Sequence, residues 1–312
     1  MEVKNQNPAW LDESHPNFKR WQCARELSIE RGKFVHSIVN KKVKTKNLAV
    51  LDLGSGEGGT AKVFSENNFV VSFDLSLARL KRQQSTVISK ESSAEKSLHQ
   101  IEKRFLPEFI PPFAGVEKTF NRNSKIFPKV NGSALFLPFI SQCFDVIIIQ
   151  DIIEHLKDLF NFRNELTRIL KTNGIIFLST PNRNSIIIFF ADPHWGLPIV
   201  SLLKRDSIKK YFLKYFRKDD LTRDDLAQLL SLNDLRKLFE QDFDISLQTK
   251  FSVLELLKGN KGIVWSYFHL KLIALCKYVK LDWLLNKIAN NKFGLVNKFF
   301  TPTFYIIAKR KM

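Results

Sequence analysis

Two groups of residues in this chain have types and spacing that could do chemistry. The first is Asp52-Leu53-Gly54-Ser55-Gly56-Glu57-Gly58, entered from the apolar run Leu48 to Leu53. Glycines at alternate positions let a backbone turn tightly and come close to a ligand, because no Cβ stands in the way. A helix from Thr60 onward would aim its free N–H groups and the positive end of its dipole at that ligand. The combination describes a nucleotide-type cofactor site. The second group is Asp151-Ile-Ile-Glu154-His155, with another imidazole at His194 in Asp192-Pro-His-Trp-Gly196.

The glycine spacing alone does not choose the cofactor, since Gly54-x-Gly56-x-x-Gly59 also satisfies the dinucleotide fingerprint. Asp52 argues against a pyrophosphate, which its carboxylate would repel, and in favour of a cationic amino group. A second apolar strand, Phe69-Val-Val-Ser-Phe73, ends in Asp74, about 20 residues on, where an acid can take a ribose hydroxyl pair. A ligand with a ribose, an amine and little phosphate fits S-adenosylmethionine.

In the second group, a helical turn would put Asp151, Glu154 and His155 on one face, as i, i+3 and i+4 are neighbours. Two carboxylates and an imidazole, completed by His194, form a donor set for Mg²⁺ or Mn²⁺. Alternatively His155 or His194 acts as a metal-free general base, its ordinary pKa near 6.5 being suitable. Pro193, Trp195 and Gly196 read as a fixed loop presenting His194. The competing reading of His155 is a residue that only positions the cofactor loop.

Five segments in order carry a resemblance: Asp52 to Gly58, Phe73-Asp-Leu-Ser76, Leu137-Pro-Phe139, Phe144 to Leu156, and Leu170 to Arg183. Together they resemble the class I S-adenosylmethionine-dependent methyltransferases, and among these the ubiquinone-pathway and sugar O-methyltransferases. The resemblance implies an α/β fold: a Rossmann-like seven-stranded sheet with helices on both faces and helical insertions. It places Asp52, Gly54, Ser55, Gly56 and Gly58 around the methionine part of the cofactor and Asp74 on the ribose. Adenine would lie near Leu75, Ser133 and Ala134, and Gln150 would line the methionine side. The family commonly has an aspartate where Ser133 stands; serine can still accept a hydrogen bond but lacks the charge. Some small-RNA 2′-O-methyltransferases and quinone O-methyltransferases carry a similar Glu-x-x-Glu-His pattern, with the first acid one methylene longer than Asp151.

The elements that must position these residues follow from apolar patterning. Strands are expected at Cys143 to Ile149, Gly174 to Ser179, Phe243 to Phe251 and Thr303 to Ala308, with a helix from about Asp158 to Leu170 and another capped by Ser231. Residues 1–46 read as a helical leader and 47–312 as the catalytic domain, interrupted by insertions at about 85–125, 184–220 and 253–300. Apolar residues make up 44% of the chain, enough for a packed core and against wholesale disorder.

Net charge is +18, and from Lys258 onward eleven basic residues face one acid, Asp282. Such a segment attracts anionic membranes, nucleic acid or phosphorylated substrates, unless it is only a solvated surface. Gly262 to Val279 is the best candidate for a membrane span, but His269, Lys271 and Lys277 interrupt it. It reads instead as an amphipathic helix, a lid or an interfacial element. Cys23, Cys143 and Cys276 are far apart and form no CxxC pair, which fits a reducing cytoplasm. The N-terminus lacks a signal-peptide pattern. The expected protein is therefore a cytoplasmic enzyme, peripheral to a membrane if its basic segment binds lipid. Its expected acceptor is a small, sugar or lipid-linked hydroxyl compound. RNA 2′-O-methylation and a non-catalytic basic adaptor are the alternatives, although no RRM, KH or zinc-finger pattern is present.

Overall fold

The computed structural model describes residues 18, 19, 22, 26–83, 127–190, 192, 194, 198–216, 218, 221, 226–264 and 267–311. The insertion expected at 85–125 lies outside the described residues, as do Cys23, Pro193, Trp195 and Gly196. Seven strands form one sheet in the order β3-β2-β1-β4-β5-β7-β6. They are β1 (Ala49–Leu53), β2 (Phe69–Asp74), β3 (Lys129–Asn131), β4 (Phe144–Gln150), β5 (Leu170–Pro181), β6 (Phe243–Leu247) and β7 (Thr303–Arg310). Every pairing is parallel except those of β7, which runs antiparallel to both β5 and β6. The expected seven-stranded Rossmann-like α/β sheet is what the chain forms.

Burial on both faces explains the near-continuous apolar strands. One face packs Leu51, Leu53, Ile147, Ile149 and Ile176 with helices α4 (Leu159–Ile169) and α6 (Leu232–Phe239), while the short helices α3 (Leu77–Arg82) and α5 (Ile186–Phe190) follow β2 and β5. The other packs Val50, Val146, Ile148 and Phe177 against Phe34, Val35, Ile38 and Val39 of α1 (Ser28–Asn40), and against Ala61 and Phe64 of α2 (Gly59–Phe64). Within the leader, Ser28–Asn40 is thus a core helix. Gly32 and Gly59 permit that seat: a Cβ on Gly32 would meet the Gly59 carbonyl oxygen at 2.8 Å.

Three expectations needed adjustment. The strand expected over 243–251 stops at Leu247, and Thr249–Leu257 is a helix, α7. β5 begins at Leu170, directly where α4 ends, four residues earlier than its apolar run. β3 was not anticipated, being only three residues long. Ser231 caps α6 as expected, in a reciprocal capping box with Asp234.

Strand order reverses between β1 and β4, and ligands of open α/β sheets sit outside the strand C-termini at that point. The glycine turn leaves β1 there, and Asp151 leaves β4 there. No described helix is long and apolar enough to cross a membrane.

Candidate cofactor and acceptor site

The turn after β1 requires its glycines. Gly54, Gly56 and Gly58 have φ of 77°, 52° and 75°, where a side chain is strained. A Cβ on Gly54 would also collide with the Ile152 side chain, whereas at Gly56 it would meet open space. Gly54 and Ser55 donate their N–H groups to the Phe73 carbonyl, at 2.8 and 3.0 Å. β2 therefore moulds the turn as much as β1 does.

Asp74 is buried, and both its oxygens are engaged: Oδ2 accepts from the Gly56 N–H at 2.9 Å and Oδ1 from the Ser76 N–H at 2.8 Å. Asn131 on β3 donates to the carbonyls of Asp74 and Leu75, at 3.0 and 2.8 Å, fixing the strand end from the other side. Leu75 itself is exposed, and the Ser133 hydroxyl accepts from the Leu135 N–H at 3.3 Å. Ala134 packs on the core edge.

Asp52 does not face open space. Its Oδ2 accepts from the Ala61 N–H in the first turn of α2, at 3.0 Å. Burial pushes its carboxyl up to about 7, with the Ala61 bond opposing and the charge of Asp74 adding. Gln150 donates to the Thr60 hydroxyl at 2.8 Å, tying the end of β4 to the same helix.

Gln83 carries no motif signal, yet it braces the loop from beneath. Its Nε2 donates to Ser55 Oγ and to the Gly56 carbonyl, both at 2.9 Å, and its Oε1 accepts from Ser72 Oγ at 2.9 Å.

After β4 the structure separates residues that helical spacing would have grouped. Asp151 takes a left-handed φ of 53°, and only Ile153–His155 form a turn, of 3₁₀ type. Asp151 consequently turns toward β5 and α1: Ser179 Oγ donates to its Oδ1 at 3.3 Å, and Arg31 lies 3.8 Å from its Oδ2. Burial raises the Asp151 carboxyl, while Arg31 and Ser179 pull it back. This small pocket is also lined by Phe34, Gln150, Thr303 and Tyr305, whose phenol burial pushes well above its usual range. Neither Arg31 nor Tyr305 was legible as a site residue.

Glu154 points the other way, into the protein beneath His194. Thr180 Oγ1 donates to its Oε2 at 2.9 Å, and its Oε1 lies 3.8 Å from His194 Nε2. That Oε1 is buried with no hydrogen bond among the described residues. Burial, then the charges of Asp151 and Asp192, push the Glu154 carboxyl up to about 8. The His155 and His194 rings meet edge to face at 5.1 Å. One donor atom from each of Glu154, His155 and His194 falls within 4.8 Å of the others, and Asp151 is not in that group. Asp192 holds the His194 backbone N–H at 2.8 Å.

Comparison with known proteins then assigns the chain. A methyltransferase-domain family model matches residues 24–244. The chain belongs to that family. It is an S-adenosylmethionine-dependent methyltransferase, and the matched span runs from before α1 to the first residues of β6. No curated protein matches the sequence. Solved structures with a similar fold include phosphoethanolamine N-methyltransferase 2 from Haemonchus contortus in complex with S-adenosyl-L-methionine. It is 14% identical with a TM-score of 0.47, over 99% of this chain and 61% of that one. The YcgJ protein of Bacillus subtilis is 15% identical with a TM-score of 0.44, over 90% and 99%. An S-adenosylmethionine-dependent methyltransferase from Mesorhizobium loti is 13% identical with a TM-score of 0.47, over 88% and 98%. The methyltransferase's acceptor does not follow from likenesses this distant.

Proposed function

We propose that this methyltransferase transfers a methyl group to a hydroxyl oxygen of a small, sugar or lipid-linked acceptor, with His194 as the general base. One observation carries the reading: His194 lies against Glu154 and His155 just past the end of β4, at the same sheet edge as the glycine turn. In the reaction the acceptor oxygen forms a bond to the methyl carbon as the carbon–sulfur bond breaks, and a thioether leaves. The hydroxyl proton passes to the imidazole. Holding donor and acceptor in line supplies much of the rate, and proton removal the remainder.

In this reading Gly54, Ser55, Gly56 and Gly58 receive the methionine part of S-adenosylmethionine, Asp74 the ribose, and Leu75, Ser133 and Ala134 the adenine. Asp52 acts mainly through α2, whose Ala61 N–H it holds. Asp151 and Arg31 present opposite charges to the α-amino and α-carboxylate groups beside Gln150.

Glu154, His155 and His194 also fit a divalent cation, because the Glu154 Oε1 is buried without a hydrogen bond among the described residues. A carboxylate with two imidazoles suits Mn²⁺ better than Mg²⁺, which prefers oxygen ligands. Such an ion would polarise the acceptor hydroxyl and ease loss of its proton.

The test is incubation of the full chain with methyl-labelled S-adenosylmethionine and cell extract, followed by separation into lipid, glycan and RNA pools. Label in alkali-stable ether linkage to lipid or glycan supports the proposal. Label confined to RNA, or to nitrogen, overturns it.

A further inference from the structure

We infer that the sheet edge carrying the site docks on an anionic lipid bilayer through the two segments that follow β5 and β6. Topology brings them together. β5 and β6 point the same way, since each is antiparallel to β7, so residues 182–230 and 248–302 leave the sheet at one edge. That edge is also where β1 releases the glycine turn and β4 releases Asp151. Asn182 joins the two segments by donating to the carbonyls of Lys298 and Thr301, at 3.0 and 2.8 Å.

Both segments expose what a bilayer interface takes up. In α8 (Tyr267–Tyr278) Ile273 packs inward on Leu27 and Val264, leaving Leu275 and Tyr278 outside, Tyr278 at 85% exposure. The next helix, α9 (Asp282–Ile288), buries none of its residues although Trp283, Leu284, Leu285 and Ile288 are among its seven. In the segment after β5, a small core of Ile208, Phe212, Leu213 and Leu226 holds Tyr211, Tyr215 and Phe216 outward. Isolated exposed apolar residues are ordinary, but successive ones on two adjoining segments mark an interaction surface.

Charge selects the occupant. Lys277, Lys280, Lys287 and Lys292 alternate with the apolar positions of the second segment, and Lys210 and Lys214 lie over Tyr211 and Tyr215 in the first. A second copy docked through the same patch would bring two lysine-rich surfaces of one sign together across a two-fold interface, which repels. RNA favours arginine and stacked aromatics, whereas this surface is aliphatic as well as aromatic, and residues 258–300 contain eight lysines and no arginine. Lysine with Trp, Tyr and Leu is the composition of an interfacial helix on anionic lipid. Docked in this way, the site edge meets the headgroup layer, so an acceptor held in the membrane reaches it without leaving the bilayer. That last step rests on the proposed function; the docking itself does not.

Flotation of the full chain with vesicles of phosphatidylcholine, with and without phosphatidylglycerol, tests the inference. Binding only to the anionic vesicles is expected. Changing Lys277, Lys280, Lys287 and Lys292 together to Gln should weaken it about a hundredfold or more. Trp283→Ser with Leu285→Ser, which leaves the charge unchanged, should weaken it about tenfold or more. No flotation at low salt overturns the inference. So does full binding by the Ser variant, or tighter binding to a single-stranded RNA oligomer than to vesicles. S-adenosylmethionine affinity, measured by calorimetry on the same samples, separates the two claims. A chain that floats without binding cofactor keeps the surface and loses the proposed activity, and a chain that binds cofactor without floating does the reverse.

Discussion

The backbone N–H of Gly56 is held at 2.9 Å by the carboxylate of Asp74, eighteen residues further along the chain. One side chain thus sets the shape of the glycine turn and marks the end of β2. Asp74→Ala should weaken S-adenosylmethionine binding about ten- to a hundredfold, since a hydrogen bond to a charged group contributes about 1.5–3 kcal/mol. Isothermal calorimetry reads this directly, and unchanged affinity would remove Asp74 from the cofactor site.

Gly54→Ala combines two penalties. The left-handed φ of 77° costs a residue with a Cβ about 1–2 kcal/mol, and collision with the Ile152 side chain adds an overpacking strain of about 1–3 kcal/mol. A lower urea midpoint with an unchanged slope is the expected result. Gly56→Ala has the strain without the contact and should lose less stability.

Stability should fall as pH rises between about 4 and 7, in part because of Asp52. Its carboxyl is pushed up to about 7 in the fold and returns to about 3.9 when unfolded. Over that interval the folded state binds more protons, so the group's contribution, complete at low pH, is lost as pH rises through the folded value. Asp52→Asn keeps an oxygen for the Ala61 N–H but cannot ionise. Thermal melts from pH 4 to 8 should show a flatter dependence in that variant than in the parent chain.

His194→Ala should lower turnover about 10²–10⁴-fold with cofactor affinity little changed, as expected for loss of a general base. Chelation followed by Mn²⁺ addition tests the cation reading separately. Restored activity supports the Glu154, His155 and His194 donor set, and activity indifferent to both chelation and loss of His194 would remove the mechanism proposed here.

Where the sequence was readable, local backbone geometry was the reason. Gly54, Gly56 and Gly58 all take positive φ, a demand that glycine spacing displays openly, and Asp74 closes a strand with bounds visible in its apolar run. The second cluster was only half readable. Spacing joined Asp151 to Glu154 and His155, but the left-handed turn at Asp151 sends its carboxylate to Arg31 and Ser179, and Glu154 goes to Thr180. Those directions depend on neighbouring strands and on α1. Gln83, Arg31 and Tyr305 were silent for the same reason, each reaching the site from an element remote in sequence. Past Leu247 the apolar residues continue into α7, and a short apolar run does not by itself separate strand from helix.

The position of β7 has a consequence for how the molecule is made. Residues 303–310 form an inner strand, between β5 and β6, yet they are synthesised after both. Until they emerge from the ribosome, β5 has an open edge and β6 has no strand to pair with. The first five strands can assemble while translation proceeds, but closure waits for contacts that span more than a hundred residues, such as Ile176 with Ala308. During that interval the nascent chain shows an unpaired apolar strand edge, the form most open to aggregation and to capture by chaperones.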